Sequence, residues 1–320
     1  RRGHYAQQAR QIDTMDMKNK KVLVLGGSGF IGSHVVDVLL VAGAEVVVID
    51  RSGSDDTAVE TLALDIGSAE FVDFLGERSF DFMLHFAGPA SVPESVKNPY
   101  VNFEEIAHSS VRLLELLRTV CPDTRFIFTS SAAVYGNPVH LPMSESDPTV
   151  PISPYGVAKL AVERYCSVYS QLYGLQVASL RPFSIYGPGQ RNLLVYDLIR
   201  KLTANPDSLE MFGNGTESRD FIFVKDVARA VIRVMAQGLL QGEAYNIATG
   251  RTHTTLQVAR LIADVLGVDP VISFSGAGRS GDPLNWCADI ERLSALNFEP
   301  KFKMQQGIEQ TVAWYLDHVK

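Results

Sequence analysis

The sequence predicts an α/β fold: a doubly wound parallel sheet with a smaller C-terminal α/β lobe. Three observations lead there. Strand-like and helix-like segments alternate from Lys21 onward, the strand segments are unbroken runs of Val, Ile, Leu and Phe, and a glycine-rich turn follows the first of them. Strands that are apolar throughout, rather than at every second residue, belong to a sheet covered by helices on both faces.

The elements follow in order. Lys21–Leu25 reads as the first strand and Phe30–Val41 as the helix after the glycines. Glu45–Asp50 is the second strand, Thr61–Leu64 a weaker third, and Phe71–Leu75 a helical stretch. The fourth strand is Phe82–Phe86 and the fifth Arg125–Thr129, with a helix from about Tyr100 to Thr119 between them. A long helix over Ser153–Tyr173 leads to a sixth strand at Gln176–Leu180. Beyond Arg181 the alternation is broken by Gly and Pro. Helices are expected near Leu193–Thr203, Val224–Ala236, Thr255–Leu266 and Gln305–Asp317, with short strands such as Leu209–Phe212 and Tyr245–Ile247. The division expected is a polar leader or expression remnant over 1–19, a dinucleotide-binding domain over 20–181, and a substrate lobe over 182–320. Part of that lobe, about 224–247, is expected to return to the first domain.

Composition narrows the class. At 320 residues, 46% hydrophobic and 20% charged, the chain can bury a full core and carry a second lobe. A formal net charge of -7 without a dense basic run argues against nucleic acid as partner. No stretch of about 18 apolar residues is present, so no membrane span is expected. Cys121, Cys166 and Cys287 are odd in number and far apart, which fits a reducing, cytoplasmic setting better than a disulfide framework. They carry no metal-ligand spacing, and no metal is expected.

The run GGSGFIG, Gly26–Gly32, sits between an apolar strand and an apolar helix. Gly26 and Gly29 permit a tight turn and a close approach of backbone to a pyrophosphate, with Phe30 and Ile31 opening the helix. Gly32 lets that helix pack on the strand, and the helix N-terminus offers unpaired N–H donors. Asp50, at the end of the second strand, can accept from both ribose hydroxyls. That favours NAD over NADP, although Arg51 beside it can pair with a 2′-phosphate. Asp65, after the third strand, can accept from an adenine amino group or cap a helix before Gly67 and Ser68.

Tyr155 and Lys159 stand four apart on the helix beginning near Ser153 and share a face. A tyrosine is a poor base at neutral pH unless positive charge favours its phenolate. Lys159 and a nicotinamide cation are expected to supply that charge, with Lys159 also holding a cofactor ribose. Ser130 and Ser131 follow the fifth strand directly, where a hydroxyl can hydrogen-bond a reacting oxygen. The chemistry read from these parts is hydride transfer at an alcohol carbon, with Tyr155 as base and a serine stabilising the developing carbonyl.

These residues together resemble the extended short-chain dehydrogenase/reductase family, whose fold is Rossmann-type, and within it the NAD-dependent nucleotide-sugar epimerases and dehydratases. The resemblance runs from about Lys21 to Trp314. It rests on GGSGFIG, Asp65-Ile66, HFAG (His85–Gly88), SVPES (Ser91–Ser95), SSAAVYG (Ser130–Gly136), YGVAK (Tyr155–Lys159), RPFSIYGPGQ (Arg181–Gln190), SRDFIFVKDV (Ser218–Val227) and GRSGDP (Gly278–Pro283). It implies Ser131, Tyr155 and Lys159 as the catalytic set. It implies Ile66, Phe86, Ala87 and Gly88 beside the cofactor, and Ser91, Ser184, Arg219, Trp286, Arg279 and Asp282 beside the substrate. Arg219 and Arg279 are the implied contacts to the diphosphate of a nucleotide-diphosphate sugar, which suits arginine's planar fork. His85 is read as structural.

Absences narrow the reaction. Family dehydratases carry Asp-Glu, and decarboxylases a Glu, where this chain has Ala132 and Ala133. The resemblance therefore implies a 4-epimerase of UDP-glucose/UDP-galactose type, with a 4-keto-sugar reductase, another dehydratase and a non-catalytic scaffold as alternatives. Three positions depart from the family pattern. Ile106 stands where an Asn is usual and is expected to be unable to support a backbone bulge or an active-site water, a role open to Asn102 or His108. Ser184 replaces an amide, and Trp286 is expected to crowd the pocket. A homodimer is also implied, through Leu113, Leu114, Leu116 and Leu117 on one helix and Val162, Tyr165, Val168 and Tyr169 on the other.

Overall fold

The computed structural model describes residues 17–51, 59–276 and 284–319. A seven-stranded sheet forms its centre. It comprises β1 (Lys21–Leu25), β2 (Glu45–Ile49), β3 (Glu60–Leu62), β4 (Phe82–His85), β5 (Arg125–Thr129), β6 (Val177–Pro182) and β10 (Gln241–Ile247), in the order β10-β6-β5-β4-β1-β2-β3. Every neighbouring pair is parallel. The order reverses between β1 and β4, which opens a crevice at the carboxyl ends of those strands. One face of the sheet is covered by α1 (Phe30–Val41) and α8 (Val224–Gln237), whose Val35, Leu39, Val231 and Val234 are buried together. On the other face lie α2 (Ala69–Glu77), α5 (Ser109–Thr119) and α6 (Pro154–Tyr173), packed through Phe71, Leu113, Leu117 and Val162.

Local signals explain the helix ends. Ser153 caps α6 by accepting from the Gly156 N–H, Pro154 occupies its first turn, and Gly174 ends it in the left-handed region at φ 72°. α2 starts where the Ser68 hydroxyl accepts from the Phe71 N–H at 3.2 Å.

A second cluster of elements stands at the carboxyl edge of the sheet. β7 (Ser184–Tyr186) and β11 (Thr252–Thr254) flank β9 (Ser218–Phe223), while β8 (Ser208–Met211) pairs with β12 (Val271–Phe274). With α7 (Leu193–Ala204), α9 (Thr255–Leu266) and α10 (Met304–His318), they enclose a core around Leu198, Ile199, Phe223, Ile262 and Val312. Fully buried Asp220 ties this region together by accepting from the N–H groups of Thr249, Gly250 and Ala288.

The structure corrects the reading at three places. The single helix expected over Tyr100–Thr119 is three pieces: α4 (Pro99–Phe103), a π-helical turn (Glu104–His108), and α5. Ile106 is therefore no obstacle to a bulge. The Ser109 hydroxyl donates to the Glu105 carbonyl at 2.6 Å and approaches that of Ile106 at 3.4 Å, so a local hydroxyl serves carbonyls of the widened turn. Second, a short helix, α3 (Val92–Lys97), precedes α4 where none was expected. Third, Leu113, Leu114 and Leu117 have no exposed surface and face the sheet. Exposed apolar side chains include Tyr100, Val101 and Phe103 on α4, and Val157, Tyr165, Val168, Leu172 and Tyr173 on α6.

Candidate active site

The glycine turn has no room for side chains. A Cβ on Gly26, where φ is +80°, would lie 2.6 Å from the Ala87 nitrogen, and one on Gly32 would lie 2.2 Å from the Gly26 carbonyl. Phe86 and Ala87 thus press against the turn from the end of β4. Gly29 precedes α1 without a side-chain cap, and no acidic residue stands in that helix's first turn. The helix N-terminus therefore presents main-chain N–H groups and a positive dipole end to an anion. This cradle fits a dinucleotide pyrophosphate. Asp50 closes the loop by accepting from the Ser28 N–H at 3.2 Å. Asp65 uses Oδ1 in a turn, accepting from the Gly67 N–H at 2.6 Å, and the cap of α2 is Ser68 rather than Asp65. Ile66 is half-buried against the core beneath α2.

The carboxyl end of β5 and the first turns of α6 bring together the catalytic candidates. Tyr155 is 7% exposed and Lys159 6%, and the Ser131 hydroxyl stands close enough to the Tyr155 phenol to favour its ionised form. Ser131 also accepts from the Ala133 N–H at 3.1 Å, which fixes its rotamer at the mouth of the turn. Ser130 points the other way: it is 1% exposed and donates to Glu163. Successive residues of an extended chain face opposite sides, so only one of the pair can serve the crevice.

Lys159 lies over the Phe128 ring, 4.8 Å from its centroid, and donates to the Thr129 carbonyl at 2.6 Å. Burial brings its pKa down to about 8, against the opposing charge of Glu163. Burial also holds the Tyr155 phenol above its ordinary range, a tendency that the Ser131 hydroxyl opposes. The protein environment alone thus does not favour the phenolate, contrary to the simple expectation from a neighbouring lysine. The ammonium is directed at Thr129, 5.8 Å from the Tyr155 ring centroid. His85, at 2% exposure, has its Nε2 3.1 Å from the Ser110 hydroxyl, and burial with Lys159 nearby lowers its pKa to about 3. It is a neutral imidazole at physiological pH.

Across the crevice, Trp286 packs edge-on against Phe183 with centroids 6.0 Å apart, touching both the Ala132 cluster and the Tyr155 cluster. Arg219 lies over the indole at 5.8 Å and donates to the carbonyls of Ser218 and Leu284, each at 2.9 Å. Ser184 begins β7, which pairs in parallel with β9 so that Ser184 is opposite Phe221. Ser91 caps α3, accepting from the Glu94 N–H at 3.2 Å, and Gly88 is exposed nearby with φ +122°. Arg279 and Asp282 lie outside the described residues. Among the described residues no cluster of His, Cys, Asp or Glu could hold a metal, and no helix is long and apolar enough to cross a membrane.

Two connections were missed from the sequence. His34 on α1 sets its Nε2 2.8 Å from the Pro188 carbonyl, joining the cofactor helix to the loop after β7. Glu163, four residues beyond Lys159, forms a buried ion pair with Arg181 of β6 at 2.7 Å. Helical spacing places Tyr155, Lys159 and Glu163 on one face, but it gives no sign of the partner on β6.

A pyrophosphate cradle beside a Ser–Tyr–Lys set with buried Tyr155 and Lys159 defines a dinucleotide-dependent enzyme of the short-chain oxidoreductase class. Comparison with known proteins makes this specific. The model of the NAD dependent epimerase/dehydratase family matches residues 22–248. The UDP-glucose 4-epimerase of Azospirillum brasilense is 33% identical over 320 aligned residues, covering 92% of this chain and 91% of that protein. The structure of the Thermotoga maritima UDP-glucose 4-epimerase with UDP-glucose aligns with a TM-score of 0.87 at 31% identity, covering 94% of this chain and 100% of that one. The UDP-N-acetylglucosamine 4-epimerase of Methanobrevibacter ruminantium M1, in complex with UDP-N-acetylmuramic acid, aligns at 0.86 and 32% identity, over 95% of this chain and 100% of that one. The chain belongs to the NAD-dependent epimerase/dehydratase family, and its cofactor is NAD.

Proposed function

We propose that the chain is an NAD-dependent 4-epimerase of a nucleotide-diphosphate sugar, of the UDP-glucose/UDP-galactose type, acting through a transient 4-keto sugar. The observation that carries the reading is the catalytic corner itself. Ser131, Tyr155 and Lys159 stand together, while the residues after Ser131 are the buried Ala132 and Ala133. Alanines can neither protonate a leaving hydroxide nor orient water, and the nearby carboxylate of Glu163 is committed to Arg181 and Ser130. Base, hydrogen-bonding hydroxyl and NAD suffice for epimerisation.

In this reading Tyr155 takes the proton of the C4 hydroxyl and later returns it, and Ser131 donates to the developing carbonyl oxygen. NAD bound in the cradle would supply the hydride acceptor for C4 and the donor for its return to the opposite face. Lys159 keeps positive charge beside the cofactor ribose and the phenol. Gly26, Gly29, Phe30, Ile31 and Gly32 hold the pyrophosphate, Asp50 the adenine-side ribose, and Asp65 and Ile66 border the adenine. Phe86, Ala87 and Gly88 wall the nicotinamide side. Arg219, with Arg279 and Asp282, grips the sugar nucleotide, while Ser91, Ser184 and Trp286 border the sugar, which is free to turn. The domain division at Arg181, with 224–247 contributing to the first domain, goes with this reading, as does a cytoplasmic setting for the three free cysteines.

The outward apolar faces of α4 and α6 support a homodimer, since patches of this kind mark association surfaces. Tyr165→Glu is expected to halve the mass measured by light scattering; an unchanged mass removes this interface. For the activity, the enzyme is incubated without added cofactor with UDP-glucose, UDP-galactose and their N-acetyl forms. Interconversion of the first pair is expected. Failure to convert any sugar rejects the epimerase; loss of water assigns a dehydratase instead, and consumption of reduced cofactor in a parallel incubation with NADH or NADPH added assigns a reductase.

A further inference from the structure

The buried carboxylate of Glu163 touches neither the glycine cradle nor the reacting groups, yet it is bonded on several sides. It accepts from the Ser130 hydroxyl, and from Arg181 at Nε (3.0 Å to Oε1, 3.2 Å to Oε2) and Nη2 (2.7 Å). Arg181 continues the network by donating to the Tyr135 hydroxyl at 2.9 Å, and Tyr135 donates to Asn246 Oδ1 at 2.7 Å. Asn246 in turn donates to the carbonyls of Met143 and Asp289, each at 3.0 Å. The chain of bonds runs from α6 through β5 and β6 to β10 and then to the segment holding Trp286 and Ala288. Ser130, Glu163, Arg181, Tyr135 and Asn246 are all at most 6% exposed.

We propose that Glu163 is a positioning residue for hydride transfer, acting through Ser130 and Lys159. The proposal rests on the assignment of Ser131, Tyr155 and Lys159 above. Ser130 is the residue before Ser131, so anchoring its hydroxyl to Glu163 fixes the direction in which the next residue leaves β5. Because Glu163 lies one turn beyond Lys159, the same bond locks the strand end to the helix face that carries Tyr155. One carboxylate thereby joins two elements that must keep Ser131 and the phenol within hydrogen-bonding reach.

Its charge has a second effect. The groups facing Lys159 and Glu163 are Tyr155 and Cys166 on α6, His85 on β4, Arg181 on β6 and Tyr135 beyond it. His85 is neutral, and burial holds the Cys166 thiol and the Tyr135 phenol up at about 12. Glu163 is the negative partner that opposes loss of the Lys159 proton, and Arg181 is a like charge nearby. Neutralising Glu163 leaves both cations without that partner, so Lys159 gives up its proton at lower pH.

The test compares wild type, Glu163→Gln, Ser130→Ala and Tyr155→Phe in the epimerase assay, with thermal unfolding followed in parallel. Glu163→Gln is expected to lower kcat about tenfold, leave KM for the sugar nucleotide within about twofold, and move the alkaline limb of the kcat profile about one unit to lower pH. Ser130→Ala leaves the ion pair intact and so remains folded. It is expected to lower kcat about fivefold without moving the alkaline limb, and Ser130→Thr, which keeps the hydroxyl, to restore it. If Glu163→Gln does not fold, the Ser130 pair decides. A purely structural network would lower the unfolding temperature while leaving kcat and its pH profile unchanged, and that result overturns the proposal. Wild-type activity that survives Tyr155→Phe would instead overturn the underlying assignment, so the two failures are distinguishable.

Discussion

The sheet side of the crevice and the opposite side hold their functional residues by different means. On the sheet side, Tyr155, Lys159, Glu163, Ser130 and Arg181 are all at most 7% exposed, and the network around them is largely side chain to side chain. Opposite, Arg219 and Trp286 are only half-buried, and the guanidinium donates to two main-chain carbonyls. The buried side fixes charge and distance, as proton and hydride transfer require. The half-open side can grip a diphosphate through charge while leaving the sugar room to present either face. Substitutions on the two sides should therefore fail differently, the first in kcat and the second in KM.

The largest contrast is expected from Tyr155→Phe. Loss of the hydroxyl proposed to move the C4 proton should cut kcat by roughly 10³–10⁴ without loss of NAD from the purified protein. A variant that also sheds NAD would mean that Tyr155 holds the cofactor more than it handles the proton. Ser131→Ala comes next, with kcat about 10²-fold lower and KM little changed, read in the same assay. On the other side, Arg219→Lys should raise KM for the sugar nucleotide about tenfold and leave kcat within about threefold, because an ammonium loses the fork and the stacking on Trp286. A kcat effect there larger than that of Ser131→Ala would erase the distinction between the two sides.

The smallest effect concerns stability. Lys159 is bound in a setting that lowers its pKa from 10.5 to about 8, so its folded form holds a proton less readily than its unfolded form. The sign follows from linkage: the cost is full below about pH 8 and fades as pH rises toward 10.5. Lys159→Met should therefore abolish activity yet stabilise the protein at neutral pH by roughly 1–3 kcal/mol, part of the gain being offset by the lost bond to the Thr129 carbonyl. Denaturant unfolding at pH 7 and pH 10 checks both the sign and its decline.

The same contrast explains what was legible in the sequence. The doubly wound parallel sheet and the cradle at Gly26–Gly32 could be read because glycine spacing and apolar runs are local signals. Ser131, Tyr155 and Lys159 were legible through motif and helical spacing. Glu163 was not, because a lone carboxylate on a helix reads as a solvated residue until its partner Arg181, which comes from a different element, is in place. Asp220 escaped for the same reason, its partners Thr249, Gly250 and Ala288 lying far along the chain. At Ile106 attention fell on the missing amide, while the π turn is supported by the hydroxyl of Ser109, a neighbour whose role depends on backbone geometry. Local chemistry is written locally; the buried network that steadies it is written across the fold.

The proposed epimerisation requires that hydride leave C4 and return to C4 without exchange with solvent, between a fixed Tyr155 and a sugar free to turn. UDP-galactose carrying deuterium at C4 tests it most directly, with the product examined by mass spectrometry and NMR. UDP-glucose that retains the deuterium at C4 is the expected product. Product that has lost the label to water, or a label found at another carbon, would contradict it.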